Sequence, residues 1–281
     1  MPMQQVLSTH LFVRHRLTTV WLERIWDAGF PAVEIFCARQ HIDYRDKAQI
    51  NELGHWFHDS PLTMHSLHAP MYSDDCWGKS GPQAVIDITE PVKARRMNYV
   101  DEIKRALEIA EVVPFRYLIQ HIGVAGEEMN ERRFDSAFSS IDEIRVFAAQ
   151  RGVEVLLENI PNAFSTAARL NDFLAQTHLP LNYCFDVGHA HMSNGIEAEF
   201  ALMKERIRST HLHDNDGEND LHFFPGKGTI DWARSIRLLA SRPEQYPLLL
   251  ELKELPDQEH PITDARRAMD ELAELESKRG E

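Results

Sequence analysis

The chain has 281 residues, of which 43% are hydrophobic and 26% charged, and its formal net charge is −14. This balance provides ample core material and excludes a disordered or collagen-like chain. The acidic excess argues against a broad nucleic-acid-binding surface, and apolar runs such as Leu248–Leu250 are far too short to span a membrane.

The cysteines and the N-terminus both bear on where the protein works. Cys37, Cys76 and Cys184 are widely scattered, which suggests neither a disulfide framework nor a cysteine zinc site. The N-terminus shows no basic stretch followed by an apolar one, so no secretory signal is expected. Together these observations predict a protein of the reducing cytoplasm.

Short apolar runs, typical of buried parallel strands, alternate with helical segments along the chain. The predicted strands are Gln5–Thr9, Ala32–Phe36, Leu62–Leu67, Tyr117–His121, Val153–Glu158, Leu181–Asp186, Arg208–His213 and Leu248–Leu252. Helices are predicted over 18–28, 91–111, 131–151, 231–241 and 262–278, and another begins at Ser165 or Thr166.

This alternation predicts a single α/β domain, a (β/α)8 TIM barrel over residues 1–281, with roughly 35 residues in each strand-and-helix unit. A doubly wound open sheet is the alternative. Its dinucleotide-binding form is disfavoured because the first strand–helix turn, Thr9–Thr18, lacks a glycine-rich phosphate loop. The polar, glycine-rich stretch Asp214–Thr229 is long for a connection, and such loops are often functional.

The predicted strands three to eight all end in side chains that can bind metal. These side chains are His68, His121, Glu158, Asp186 with His189, His211 with Asp220 and His222, and Glu251. In a barrel, the carboxyl ends of all strands converge on one mouth, where active sites of this fold lie. Residues far apart in sequence are therefore expected around one small volume.

Imidazoles and carboxylates without thiolates favour Zn, Mn, Fe or Co as the bound ion. Clustered carboxylates repel one another unless cations lie between them. A single histidine at a strand end is usually an ordinary polar residue, but its recurrence on six successive strands favours a metal site. His65, His191 and His213 are left out of the expected ligands because an orienting or packing role fits them equally well.

Several strings carry a family resemblance that covers essentially the whole chain. They are Leu67-His68-Ala69-Pro70, Glu158-Asn159, Phe185-Asp186-Val187-Gly188-His189-Ala190, and the stretch from His211 through Asp220-Leu221-His222 to Trp232. The chain resembles the xylose isomerase-like barrel superfamily, which contains sugar and sugar-phosphate isomerases and epimerases as well as endonuclease IV. Lys227 departs from the acidic residue often found between the two neighbouring glycines.

The two branches of this superfamily imply different numbers of ions. The isomerase and epimerase branch implies one divalent ion held by Glu158, Asp186, His211 and Glu251. The endonuclease IV branch implies three zinc ions. Its nine ligand positions match His68, His121, Glu158, Asp186, His189, His211, Asp220, His222 and Glu251 without a gap.

The favoured hypothesis is a metal-dependent isomerase or epimerase of a sugar or sugar phosphate. The ion would bind the substrate's carbonyl and adjacent hydroxyl, Glu158 and Glu251 would exchange a proton through an enediolate, and His189 would orient a hydroxyl. The alternative is a multi-metal phosphoester hydrolase that resembles endonuclease IV, in which clustered ions generate hydroxide. A non-catalytic, ligand-binding barrel is the third interpretation.

The rim loops argue for a small-molecule substrate. The stretch Met71–Trp77 is acidic, and Cys37–Asp46 contributes only Arg39 and Arg45 as cations, whereas a nuclease needs phosphate-binding cations and wedge side chains. Nucleic acid is therefore not an expected partner, and the short apolar runs noted above make a membrane an unexpected partner as well. The sequence is compatible with a homo-oligomer formed through exposed barrel helices.

Overall fold

Parallel strands form the centre of the molecule. The computed structural model describes residues 2–256 and 258–278, so the prediction of one domain over 1–281 also takes in residues 1, 257 and 279–281, which lie outside the described part. The eight strands of the described part are β1 Gln5–Ser8, β2 Ala32–Phe36, β3 Thr63–His68, β4 Tyr117–Gln120, β5 Glu154–Glu158, β6 Asn182–Asp186, β7 Ile207–His211 and β8 Leu248–Leu250.

The strands close into a barrel in which every neighbouring pair is parallel. The hydrogen-bonded order is β7-β6-β5-β4-β3-β2-β1-β8. The ring closes just beyond β7, where the Leu212 amide donates to the Leu249 carbonyl (2.8 Å) and the Glu251 amide to the Leu212 carbonyl (3.2 Å). The predicted (β/α)8 barrel is confirmed, and the open-sheet alternative is wrong.

Helices surround the barrel. Within the described residues they are α1 Thr19–Asp27, α2 Lys47–Asp59, α3 Lys93–Leu107, α4 Glu131–Ala149, α5 Ala167–Thr177, α6 Val187–Met192, α7 Ile196–Met203, α8 Trp232–Leu239 and α9 Pro261–Ser277. Their starts follow local chemistry: the side chain of Asn130 accepts from the Arg133 amide at the start of α4, as an N-cap does. None of the helices in the described residues combines the length and apolar character that a bilayer span requires.

The interior of the barrel is apolar at one end and charged at the other. Alternate strand residues point to the same face, so Leu156 shares the inner face with Glu158, and Cys184 shares it with Asp186. Small buried clusters fill the apolar layer, and their members are Tyr117, Ile119, Leu156 and Cys184 in one, and Val6, Ala32 and Leu249 in the other. The next inward position on several strands is a charged or imidazole side chain, which places the candidate site at the carboxyl ends of the strands.

Candidate metal centre

The candidate ligands form three adjacent groups in which one donor atom per residue lies within 4.8 Å of the others. The first group is His68, His121 and Glu158; the second is Glu158, Asp186, His211 and Glu251; the third is His189, His213, Asp220 and His222. All nine residues predicted from the sequence are therefore brought together. His213 joins the third group, and His10 forms a further group with His222 and Glu251.

Glu158 connects the first two groups. One carboxylate oxygen lies 2.9 Å from His121 Nε2 and 3.5 Å from His68 Nε2, and the other lies 2.9 Å from His211 Nδ1. Burial by itself raises the pKa of Glu158, but His211 and His121 beside it bring the net pKa well below its usual range. This buried side chain is therefore an anionic donor at neutral pH.

His211 has a further carboxylate partner, on its other ring nitrogen, that no sequence motif marks. Glu34, on β2, is fully buried, and its Oε2 lies 3.2 Å from His211 Nε2 and accepts from Ser66 Oγ (2.7 Å). A carboxylate on the far side of a candidate ligand histidine is a common means of orienting the ring. The only signal in the sequence is an acidic residue inside the apolar run Ala32–Phe36.

Backbone carbonyl groups orient the imidazoles of several candidate ligands. The Nδ1 atoms of His68, His189 and His222 donate to the carbonyls of Ala69 (2.9 Å), Asn159 (3.0 Å) and Glu251 (3.1 Å), respectively. Each bond places the proton on Nδ1 and leaves the Nε2 lone pair for another partner. This is the tautomer that a metal-binding imidazole needs.

The loop between β7 and α8, residues 212–231, contributes Asp220 and His222. Asp220 Oδ1 lies 3.2 Å from His222 Nε2, so the two donors face each other. The backbone of His222 has φ +47°, a left-handed conformation that is uncommon for a residue with a side chain. Such conformations cluster at functional sites.

Several buried polar atoms of the centre have no hydrogen-bond partner among the described residues. They include Asp186 Oδ2, Glu34 Oε1 and both ring nitrogens of His213. Buried polar atoms are usually paired, so unpaired ones in a native site call for a missing partner such as an ion. Carboxylate oxygens and imidazole nitrogens, without a thiolate in any donor group of the described residues, suit a divalent cation of the Zn, Mn, Fe or Co class.

The centre lies at the bottom of a cavity of about 660 Å³, a volume within the range of small-molecule sites. Its wall is largely aromatic and aliphatic and includes Phe36, Met71, Tyr72, Trp77, Ile86 and Val124. Arg14 and Lys253 line the same cavity and are the cations that could face an anionic substrate group.

A family model described as a xylose isomerase-like TIM barrel matches residues 22–275. The chain belongs to this family. The resemblance inferred from the strand-end strings is thereby confirmed.

The chain spans about half the length of some curated relatives that it matches. One is the Methanocaldococcus jannaschii protein MJ1614, 28% identical over 135 residues, which are 47% of this chain and 53% of that protein. Another is an inosose dehydratase from Erwinia tasmaniensis, 26% identical over 149 residues, which are 45% and 50%.

Solved structures of the xylose isomerase-like type share the fold over the whole chain. A D-tagatose 3-epimerase-like protein superposes with a TM-score of 0.78 at 23% identity, covering 99% of this chain and 100% of that one. An L-ribulose 3-epimerase gives 0.77 at 17% identity, with 100% and 97% covered. The IOLI protein, solved with a bound zinc atom, gives 0.72 at 15% identity, with 99% of both chains covered.

Three further histidines lie near the centre without being predicted ligands. His65 lies 3.2 Å from Ser209 Oγ and His191 lies 2.9 Å from Thr229 Oγ1, and neither belongs to a donor group of the described residues. His10, which the sequence gave no reason to single out, lines the cavity with its Nδ1 donating to the Leu252 carbonyl (3.0 Å). No spacing motif marks His10, because only closure of the barrel brings β1 next to β8.

Proposed function

We propose that this xylose isomerase-like barrel is a divalent-metal-dependent isomerase or epimerase of a sugar or sugar phosphate. The observation that carries the proposal is that the buried carboxylates of Glu158 and Glu251 belong to one donor group beneath a small-molecule cavity. The similar proteins named as sugar epimerases and as an inosose dehydratase support a sugar-modifying reaction.

Glu158, Asp186, His211 and Glu251 are the residues that would hold the reaction's metal ion. The unpaired Oδ2 of Asp186 and the three-carboxylate, one-imidazole composition of the group fit this role. A divalent cation bound there supplies Lewis acidity, which polarises a substrate carbonyl and acidifies the neighbouring C–H bond.

The protein's own carboxylates handle the proton. Glu158 ends β5 and Glu251 follows β8, so the two reach the cavity floor from different sides of the barrel. In the enediolate reaction that we propose, one carboxylate removes the proton from carbon and the other returns it, which permits inversion as well as transfer. His189, fixed by the Asn159 carbonyl, directs Nε2 toward a substrate hydroxyl or toward the third donor group.

The apolar wall of the cavity controls the access of water to the site. Phe36 stacks on the His68 ring with centroids 4.3 Å apart, and Trp77 lies against Phe36 at 5.4 Å. These side chains limit the water that reaches the reacting carbon, which strengthens the electrostatic interactions there. Aromatic faces also suit the C–H faces of a sugar ring.

The proposal is tested by following solvent deuterium into ketoses. The protein, loaded with Zn²⁺, Mn²⁺ or Co²⁺, is incubated in D2O with a panel of ketoses and ketose phosphates, and proton NMR reports exchange at the carbons beside the carbonyl. We expect exchange in at least one substrate and none with Glu251→Gln. An absence of exchange with every metal and sugar would refute the isomerase and epimerase assignment.

A second candidate is a multi-metal phosphoester hydrolase, and the contiguity of the three donor groups favours it. Glu158 belongs to two of these groups, and His189 of the third lies 3.6 Å from the Glu158 carboxylate, a spacing suited to several ions that share ligands. Hydrolysis of bis-nitrophenyl phosphate or of an abasic-site oligonucleotide, without ketose exchange, would select this function. A ligand-binding barrel would instead gain thermal stability with a sugar and turn over neither substrate.

A further inference from the structure

Four side chains of the third donor group meet where the β7–α8 loop crosses the barrel mouth. His189 lies in α6, His213 follows β7, and Asp220 and His222 lie in the loop itself. Asp220 Oδ2 is 3.4 Å from His189 Nε2, and Oδ1 is 3.2 Å from His222 Nε2. The loop carboxylate therefore lies between one imidazole of the barrel and one of the loop.

His213 is the unexplained member of this group. Its side chain is 0% exposed, and neither ring nitrogen makes a hydrogen bond with a described residue. Nε2 lies 3.2 Å from Asp186 Oδ1 and 3.8 Å from Asp220 Oδ1, so this nitrogen points toward side chains that are themselves potential metal ligands. Nε2 therefore faces two carboxylates that themselves belong to donor groups, an arrangement that a shared cation would satisfy.

The chain leaves room for this imidazole at one specific position. A Cβ atom on Gly188 would lie 2.1 Å from His213 Cε1, a distance at which the two cannot coexist. The His213 ring also stacks on His222, with centroids 4.0 Å apart. The glycine and the stacking partner together hold the ring against the group.

We propose that His189, His213, Asp220 and His222 form a closed, four-donor cation site that fixes the β7–α8 loop to the barrel. The family resemblance accounts for three of these residues, and His213 adds the fourth. Three imidazoles and one carboxylate match a tetrahedral Zn²⁺-type ion, and a full set of four protein donors is typical of structural sites. Catalytic sites keep an open position, as the three-donor group of His68, His121 and Glu158 does.

This role follows from the placement of the donors on two parts of the fold. His189 lies in α6, and His213 directly follows Leu212, which pairs with β8. Asp220 and His222 lie farther along the loop, so an ion shared by all four restrains that distal part of the loop against the cavity. Such an ion can hold the loop whether the cavity supports isomerisation or hydrolysis. Loss of this ion loosens the loop and leaves the donors of the first two groups in place.

The test is a Co²⁺ titration of the full chain after removal of metal with a chelator. Visible d–d absorption distinguishes four-coordinate Co²⁺ from higher coordination, and elemental analysis counts the bound ions. The variants are His213→Asn, His213→Ala and Asp220→Asn, whose parent side chain is 42% exposed and tolerant of change. His65→Asn is the matched control, because His65 contacts Ser209 of β7 rather than a loop residue and lies outside every donor group of the described residues.

We expect wild type and the control to share one intensely absorbing site that His213→Asn weakens by at least about tenfold, since losing even an outer partner of a ligand has that effect. Hydrogen exchange of residues 214–231 should slow on metal addition in wild type but not in His213→Asn. Unchanged affinity and absorption in a folded His213 variant would overturn the proposal. Equal ion counts in Asp220→Asn and wild type would overturn it as well.

Discussion

Glu158 is the residue with the most contacts to candidate ligands. Its two oxygens lie within 3.6 Å of His68, His121, His189 and His211. Because it belongs to two donor groups, it can serve both as a metal ligand and as a proton acceptor. A substitution of Glu158 should therefore impair metal binding and proton transfer together.

Glu158→Gln should abolish activity while the barrel stays folded. The amide keeps the size of the side chain but removes the charge and the basic oxygen, and loss of a general base lowers kcat by about 10²- to 10⁴-fold. Activity on the substrate identified by deuterium exchange, together with circular dichroism, checks this. Glu154→Gln, at the other end of the same strand, is the control; a wild-type rate in Glu158→Gln would remove the residue from the mechanism.

Glu34→Gln should weaken metal binding without removing a ligand. Glu34 holds His211 from behind, and loss of such an orienting carboxylate lowers metal affinity by about 10- to 100-fold. Competitive titration with a chromophoric chelator measures the affinity. Ser66→Ala, which leaves the Glu34 charge in place, should have a smaller effect; an equal effect of both variants would mean that packing, rather than charge, orients the ring.

Among the elements, α2 depends on a close approach to the segment that follows α3. A Cβ atom added to Gly54 would lie 2.3 Å from Val112 Cγ1. A β-branched side chain has few alternative rotamers, so Val112 cannot easily move aside. The glycine therefore sets how closely α2 packs there.

Gly54→Ala should lower the free energy of unfolding by about 1–3 kcal/mol, although alanine is the better helix former, because overpacking outweighs propensity. Urea unfolding measures this change. The double variant Gly54→Ala with Val112→Ala should regain most of the loss, because the clash is gone and Val112 is 39% exposed. Additive losses in the double variant would show that the contact does not limit packing.

Most of the strands could be predicted from sequence because they are short, largely apolar runs with buried residues on both faces. The site followed from the same logic, since residues at the ends of parallel strands must converge. Glu34 and His10 could not be predicted, because Glu34 lies inside the strand Ala32–Phe36 rather than at its end and no other ligand-type residue stands directly beside His10 in the sequence. Their partners His211 and Glu251 meet them only after the barrel closes. The α2 helix was not predicted, because most of its residues are polar and its apolar face is weak. Asp46 caps the N-terminus of this helix.

A buried histidine away from the metal centre couples the stability of the fold to pH. His41 is fully buried, and its Nδ1 donates to the His15 carbonyl. Burial lowers the pKa of His41 to about 4. The unfolded chain, with a histidine pKa of about 6.5, takes up a proton that the folded chain refuses between these values.

The stabilising contribution of neutral His41 should therefore be complete above pH 6.5 and lost as the pH falls toward 4. The loss amounts to about 3 kcal/mol. In His41→Gln this contribution is absent, so the difference in unfolding free energy between wild type and variant should shift by that amount between pH 7 and pH 4. Urea unfolding at several pH values measures the shift; parallel curves for the two proteins would contradict it.

The divalent-metal content of the purified full chain after dialysis, compared with that of Glu158→Gln, shows directly whether the strand-end donors hold metal. Donors from six strands that share one buried pocket should retain at least one ion per chain, and the variant should retain fewer. Wild type should contain one to three ions. A folded wild-type protein that retains none, and that gains no thermal stability when Zn²⁺, Mn²⁺ or Co²⁺ is added, would contradict it.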